Sequence, residues 1–247
     1  MEYIVLFAAP GIAICLYFFY KDMFNKEPTF NLIVSFILGC VAIFPALLFE
    51  TYLGPSAIDG SVVGVAIFSY LIVAFSEEGS KFLGLRLFSY NQKSFDEPFD
   101  GIVYAVMIGM GFATAENIKY LIDSKAGSEL SLGLLRMFTA VPGHATFAII
   151  MGYFAGKAKF DPKNSFRLLL TGLLVAIFFH GTYDFFLFLT QYSYVGQQEG
   201  NQFLAGGALV SFIVSIVLCR KLIKRDRNIS REMFKPKAPP PPPPTSA

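Results

Sequence analysis

The sequence contains no tryptophan, and charged residues make up only 15% of its 247 residues. Soluble domains carry about 25% charged residues, because a soluble fold needs a charged surface. The deficit of charge therefore excludes an ordinary soluble globular domain. Without tryptophan, an interfacial aromatic belt must come from tyrosine, and several tyrosines do lie near the ends of apolar runs.

Cysteine and histidine are also scarce. The three cysteines, Cys15, Cys40 and Cys219, all lie inside apolar runs. Such positions are typical of small buried side chains and indicate no disulfide framework. No serine or cysteine nucleophile with an adjacent base is evident in the sequence. The chain has only two histidines, so the position of each one is informative.

Long apolar runs occupy most of the chain, which is 54% hydrophobic. Runs of about 20 residues cross a bilayer as helices. The predicted fold class is therefore all-α, a polytopic transmembrane helical bundle of about seven spans. We predict these spans over residues 3–20, 28–49, 60–88, 101–121, 137–156, 168–189 and 200–219.

The distribution of lysine and arginine predicts the orientation, because basic loops stay in the cytoplasm. One side of the predicted bundle carries 16 of these residues and the other carries 3. We predict an integral plasma-membrane protein with its N-terminus outside and its C-terminus in the cytoplasm. The exception is the segment between spans four and five, which is assigned outside although it holds Lys119, Lys125 and Arg136.

The chain divides into two parts by composition. We predict one transmembrane helical domain over residues 1–231 and a Pro-rich disordered cytoplasmic tail over residues 232–247. The tail contains six consecutive prolines, which favour polyproline II and exclude helix or strand. Composition favours a disordered end over a segment that docks to a partner.

Seven ionisable residues are candidates for burial within the predicted spans, where burying a charge costs at least about 2.5–3.5 kcal/mol. Asp184 lies one turn from His180, so it can hydrogen-bond one ring nitrogen and leave the other free. Pro142 predicts a break in the backbone near the head of span five. Four spans each contain such a residue, which indicates one shared polar site. The seven residues are Glu77, Glu78, Lys81, Glu116, His144, His180 and Asp184.

Histidines together with carboxylates are the ligand types of a catalytic zinc site, which leaves one position for water. The metal lowers the pKa of that water to about 7. A nearby glutamate can then accept its proton and deliver it to a leaving amine. Channels and transporters use the same residue types to pass protons or cations. A purely structural alternative also stands, in which Glu78 and Lys81 neutralise each other and His144 only packs.

In their order and spacing these residues resemble the PrsW family of intramembrane proteases. That family has four such motifs in four successive spans. The motifs cover residues 77 to 184, and the flanking spans match in hydrophobicity alone. The matching stretches are Glu77-Glu78-x-x-Lys81, Phe112-x-x-x-Glu116-Asn117, His144 and His180-Gly181-x-x-Asp184, with Asp96-Glu97-Pro98-Phe99-Asp100-Gly101 before the second.

The resemblance implies a membrane-embedded protease domain with a CAAX-protease-like core. It implies the first, extracytoplasmic cut in a single-span anti-sigma factor within the lipid bilayer, and no nucleic-acid partner. The related CAAX prenyl endopeptidases carry a histidine where this chain has Glu116, so the ligand set stays open. The alternatives are a CAAX-type peptide-processing endopeptidase and a non-proteolytic transporter or scaffold. No convincing internal repeat of the kind typical of transporters is present.

On this resemblance, Glu77 or Glu116 is the predicted general base that activates water. His144 and His180 are predicted to bind a divalent metal, zinc by ligand type, or to stabilise the oxyanion. Glu116 is also a predicted metal ligand. The predicted catalytic residues are Glu77, Glu78, Glu116, His180 and Asp184, with Lys81, Phe112 and Asn117 beside them. In this set, Asp184 orients His180, and Glu78 pairs with Lys81 or adds a ligand.

Overall fold

In a computed structural model of the protein, residues 3–198 and 201–235 are described. Within these ranges the chain is all helical and contains no strand. Seven helical segments are long and apolar enough to cross a membrane. The predicted fold class and number of spans are therefore confirmed. The predicted Pro-rich tail lies outside the described residues from residue 236 onward.

The helices agree with the predicted spans, with one addition before span five. α9 continues past residue 231, so the predicted start of the tail falls inside this helix. A π-helix, Ile67–Ala74, joins α3 to α4, and 3-10 helices cover Ser89–Asn91 and Asn201–Ala205. The α-helices are α1 (Ile4–Lys21), α2 (Thr29–Ala57), α3 (Val62–Ala66), α4 (Phe75–Leu87), α5 (Pro98–Asp123), α6 (Glu129–Phe138), α7 (Ala140–Phe160), α8 (Ser165–Tyr192) and α9 (Gly206–Met233).

α5 is the central helix of the bundle. Its apolar stretch is 94% buried, whereas that of α1 is 17% buried. α5 packs against α1, α2 and α7, and it begins with Pro98, where a missing backbone N–H costs nothing. A helix that is apolar on all sides belongs in such an interior. Its polar residues are therefore held inside the protein and away from lipid.

Glycines allow α5 and α7 to approach closely. A Cβ on Gly152 would lie 2.3 Å from the carbonyl oxygen of Gly101. A Cβ on Gly156 would lie 2.1 Å from the carbonyl oxygen of Pro98. Small residues four positions apart are typical of tightly packed transmembrane helices. This packing brings the second and third sequence motifs, one on each helix, side by side.

Irregular backbone lies next to two of the motifs. The π-helix ends directly before α4, and π-helices are rare and frequent at functional sites. Thr139, with φ −120° and ψ −75°, separates α6 from α7. The break predicted near Pro142 therefore lies at Thr139. Pro142 itself sits in the first turn of α7, where proline is tolerated.

The outer face of the bundle is apolar. Large side chains such as Val5, Phe30, Phe44 and Phe166 are exposed there. Such a surface suits hydrocarbon, and the polar residues lie on the inside because lipid cannot satisfy them.

Candidate active site

Lys81 lies at the centre of a buried polar group. Its Nζ is 3.0 Å from Glu77 Oε2 and 2.8 Å from Glu78 Oε1, as their spacing on α4 predicts. The same nitrogen is 3.1 Å from His144 Nδ1 and 3.9 Å from the ring centroid of Phe112. All five side chains are buried, so the ammonium balances two carboxylates inside the protein.

His144, on α7, is held at both ring nitrogens. An ammonium has no acceptor, so Nδ1 accepts from Lys81. Nε2 then carries the proton and donates to Glu116 Oε2 at 2.8 Å. Nδ1 also lies 3.9 Å from Glu77 Oε2. The imidazole therefore presents its lone pair to the ammonium of Lys81 on α4.

His180, on α8, contacts carboxylates of two helices. Its Nε2 is 3.1 Å from Asp184 Oδ2, as their spacing predicts, and 3.9 Å from Glu77 Oε2. The prediction that the other ring nitrogen stays free is wrong, because Nδ1 lies 2.9 Å from Glu78 Oε1. The ring also stacks on Phe147, with centroids 4.7 Å apart. These contacts fix the plane of the imidazole.

Glu116 is bonded to an arginine that the sequence pattern does not reveal. Arg136 Nη2 donates to Glu116 Oε2 at 2.8 Å, and Arg136 Nε donates to Asn117 Oδ1 at 2.6 Å. Asn117 in turn donates to the carbonyl oxygen of Phe7 at 2.9 Å. The sequence places Arg136 between two predicted spans, where it counts as a loop cation. The structure places it on α6, inside the site.

A cavity of about 300 Å³ opens between α2, α4, α5, α6, α7 and α8. Glu50, on α2, lines it and accepts a hydrogen bond from Ser76 Oγ at 3.2 Å. Sequence reasoning misses Glu50 because it falls at the end of span two, with no spacing that links it to the other acids. Glu78 does not line this cavity. The acids and histidines that line it are Glu50, Glu77, Glu116, His144, His180 and Asp184.

The residues fit a divalent metal by the chemistry of their donors. Glu77, Glu78, His144 and His180 each bring one ligand atom to within 4.8 Å of the others. Nδ1 of His144 faces Lys81, and Nδ1 of His180 faces Glu78. In both residues a carboxylate holds Nε2, which is typical of metal-binding imidazoles. Glu78 Oε2 is buried and has no hydrogen-bond partner.

Glu116, the third predicted ligand, lies outside this group of four. Its Oε2 accepts hydrogen bonds from Arg136 and from Nε2 of His144, which is the ring nitrogen opposite to Nδ1. The structure thus brings Glu77 and Glu78 to the centre and leaves Glu116 and Asp184 behind the two imidazoles. Phe112 and Asn117 contact Lys81 and Arg136, respectively.

The fold and the site together define a polytopic membrane protein whose buried acids and imidazoles face an internal cavity, as hydrolytic enzymes arrange them. The comparisons with known proteins agree with this class. The chain belongs to the PrsW family, because the model described as "PrsW family intramembrane metalloprotease" matches residues 27–219. The resemblance found from the four motifs is confirmed.

Relatives from several bacteria are similar to the chain over most of its length. Protease PrsW of Bacillus subtilis (strain 168) is 38% identical over 180 residues, 72% of this chain and 79% of that protein. Protease PrsW of Geobacillus kaustophilus (strain HTA426) is 37% identical over 179 residues, 72% of this chain and 76% of that protein. No solved structure matches. The chain is therefore a membrane peptidase, with a membrane protein as its substrate.

Proposed function

We propose that this peptidase hydrolyses a single-span membrane protein with water activated by Glu77. The observation that carries the proposal is the position of Glu77. Its side chain faces the cavity, and its Oε2 lies 3.9 Å from a ring nitrogen of both His144 and His180. A water molecule beside this carboxylate would be in reach of both imidazoles.

Glu77 is better placed than Glu116 to act as the general base. Glu116 Oε2 already accepts from Arg136 and His144, whereas Glu77 Oε2 has one donor, Lys81, within hydrogen-bond distance. Glu77 accepts a proton from water as the oxygen attacks the scissile carbonyl. It then gives this proton to the amine that leaves, so the two steps balance.

His144 Nδ1, His180 Nδ1 and Glu78 would hold the metal, with Lys81 giving up its hydrogen bond to His144 Nδ1. A zinc ion bound there would lower the pKa of its water to about 7 and polarise the scissile carbonyl. Glu116 and Asp184 act as positioning residues, because each holds the Nε2 of one imidazole. Lys81 neutralises the carboxylates of α4, and Arg136 fixes Glu116.

The proposed substrate is an anti-sigma factor, cut first on its extracytoplasmic side. The resemblance of the four motifs supports this, and so does the predicted orientation. The predicted orientation has one exception, the basic segment between spans four and five, and two of its three cations have acidic partners. Arg136 bonds to Glu116 inside the bundle, and Lys119 pairs with Asp123 at 2.8 Å. Of the three cations assigned outside, Lys125 is then the one without an ion pair among the described residues.

The test is cleavage of a labelled single-span anti-sigma factor by the full-length protein in detergent. Glu77→Gln should lower the rate at least about 100-fold, since general-base catalysis contributes 10²–10⁴-fold. His144→Ala and His180→Ala should also lower the rate, because each removes a proposed metal ligand. Asp226→Asn is the matched control, because it neutralises a fully buried acid on α9 outside the cavity.

Each part of the proposal can fail separately. Parent-like cleavage by Glu77→Gln would exclude Glu77 as the base. Equal cleavage of unrelated single-span proteins would exclude a preference for anti-sigma factors while leaving the peptidase intact. A periplasmic or cytoplasmic reporter fused after residue 235 tests the orientation, and a signal from the periplasmic one would reverse it.

A further inference from the structure

A second group of buried acids lies far from the cavity, where α1 joins α2. Asp22 follows α1 and Glu27 precedes α2, while Glu97 and Asp100 lie at the start of α5. All four are between 0% and 3% exposed. Sixteen residues of α5, about 24 Å of helix, separate Asp100 from Glu116. The two sites are therefore distinct.

The carboxylates of this group converge. One oxygen each from Asp22, Glu97 and Asp100 lies within 4.8 Å of the others. Two of these acids also accept hydrogen bonds from the backbone. Asp22 Oδ2 accepts from the N–H of Glu27 at 2.8 Å, and Asp100 Oδ2 accepts from the N–H of Glu97 at 2.8 Å. These bonds hold the two side chains in place and leave Oδ1 of each without a hydrogen-bond partner.

Some oxygens of this group have no partner. Asp22 Oδ1, Asp100 Oδ1 and Glu27 Oε1 are buried without a hydrogen bond. In the described part of the chain, no lysine or arginine nitrogen lies within 4.0 Å of these acids. Buried polar groups without partners are costly and rare, so this concentration in one place points to a bound cation.

We propose that Asp22, Glu97 and Asp100 bind a hard divalent cation, Mg²⁺ or Ca²⁺, and that Glu27 completes the ligand set. All of these ligands are oxygens, which such cations prefer, whereas the histidines of the active site favour zinc. The bound ion ties the connection between α1 and α2 to the first turn of α5. It thereby fixes the central helix that carries Glu116, without taking part in hydrolysis.

The test uses the full-length protein in detergent after chelator treatment and dialysis. Tb³⁺ serves as the probe, because tyrosine sensitises its emission and the chain contains no tryptophan. Tyr104 is a suitable antenna, since its hydroxyl donates to Glu27 Oε2. We expect Tb³⁺ emission at one site, competed by Ca²⁺ and Mg²⁺. The ion that competes at the lower concentration is the preferred ligand.

Stability gives a second readout. Mg²⁺ or Ca²⁺ at about 100 times its Kd should raise Tm by about 5 °C or more. Glu97→Gln and Asp22→Asn should each weaken cation binding at least tenfold and remove the rise in Tm. Asp226→Asn is the matched control, because Asp226 is fully buried with both oxygens unpartnered but belongs to neither converging group. It should keep the parent response.

Two further arms separate this site from the catalytic one. His144→Ala should retain the response to Mg²⁺ and Ca²⁺, because it alters only the active site. If Glu97→Gln does not fold, Asp22→Asn decides the matter. A parent protein that shows no Tb³⁺ emission and no rise in Tm overturns the proposal, as does a response that both acid variants retain.

Discussion

Lys81 Nζ and His144 Nδ1 lie 3.1 Å apart inside the bundle, so a lysine of α4 donates to a histidine of α7. The same ammonium contacts Glu78 at 2.8 Å, and Glu78 reaches His180 on α8 at 2.9 Å. One buried cation thus connects three helices of the site. Both the stability of the site and the proton positions on His144 depend on it.

Lys81→Met removes this cation and keeps much of the side-chain volume. We expect the free energy of unfolding to fall by about 3–5 kcal/mol, because two carboxylates stay buried without their partner. Thermal unfolding in detergent measures the loss. Adding Glu78→Gln should recover part of the stability but no cleavage. A Lys81→Met protein that unfolds at the parent temperature would show that Lys81 is not the counter-ion.

The sequence alone predicts the fold class, the spans and the contacts within one helix. Hydropathy marks the spans, and the one-turn spacing predicts the bond between His180 and Asp184. The sequence also indicates one polar site shared by four spans, but not which side chains pair across helices, since Glu78 and His180 are 102 residues apart. Their meeting depends on how helices cross, which is decided by close packing. Glu50 was missed for the same reason.

The packing of α5 on α7 can be tested at its glycines. Gly152→Ala should lower the free energy of unfolding by about 1–3 kcal/mol, because the new methyl group would clash with the backbone of Gly101. Gly79→Ala is the matched control on α4, where an added Cβ meets nothing within 4 Å. It should be neutral or slightly stabilising. Equal unfolding temperatures of the two variants would contradict the close approach.

Arg136→Lys should reduce cleavage about tenfold, mainly through kcat. Lysine cannot bond to Glu116 and Asn117 at once, as the guanidinium does at 2.8 Å and 2.6 Å. Steady-state kinetics on the labelled substrate separates kcat from KM. Arg86→Lys is the control, because Arg86 lies over the ring of Tyr90, as Arg136 lies over that of Tyr120, but it is outside the cavity. A change in KM alone would assign Arg136 to substrate binding instead.

Metal content separates the proposed ligands from the residues behind them. After loading with zinc, His144→Ala and His180→Ala should lose the bound ion on dialysis. Glu116→Gln should still reach the parent stoichiometry at saturating zinc, with an affinity about 10–100-fold weaker, because it only holds the far side of His144. Elemental analysis and competition with a chelator give both quantities. Complete loss of zinc in Glu116→Gln would instead mean that Glu116 is a direct ligand of the metal.

The acidic group at the start of α5 predicts a pH dependence of stability. Burial, together with the nearby Asp22, Asp96 and Glu27, raises the pKa of Glu97 from 4.5 to about 7, against the opposing effect of Ser230. Burial also raises the pKa of Asp22 and of Glu27. At a pH between the ordinary pKa of these carboxyl groups and their raised pKa in the folded protein, the folded state holds protons that the unfolded state has released. Stability in chelator must therefore fall as pH rises from about 4.5 to 7.

Glu97→Gln removes the carboxyl group that titrates in this pH interval. The Tm of this variant in chelator should therefore fall less than that of the parent. Mg²⁺ or Ca²⁺ should have the opposite effect on the parent. These ions bind the ionised carboxylates, so the gain in Tm that they give should grow from pH 5 to pH 7 and then level off. Thermal unfolding at each pH, with chelator or with cation, measures both trends. A parent Tm in chelator that rises over this interval would mean that the carboxyl groups are already ionised and compensated in the folded protein.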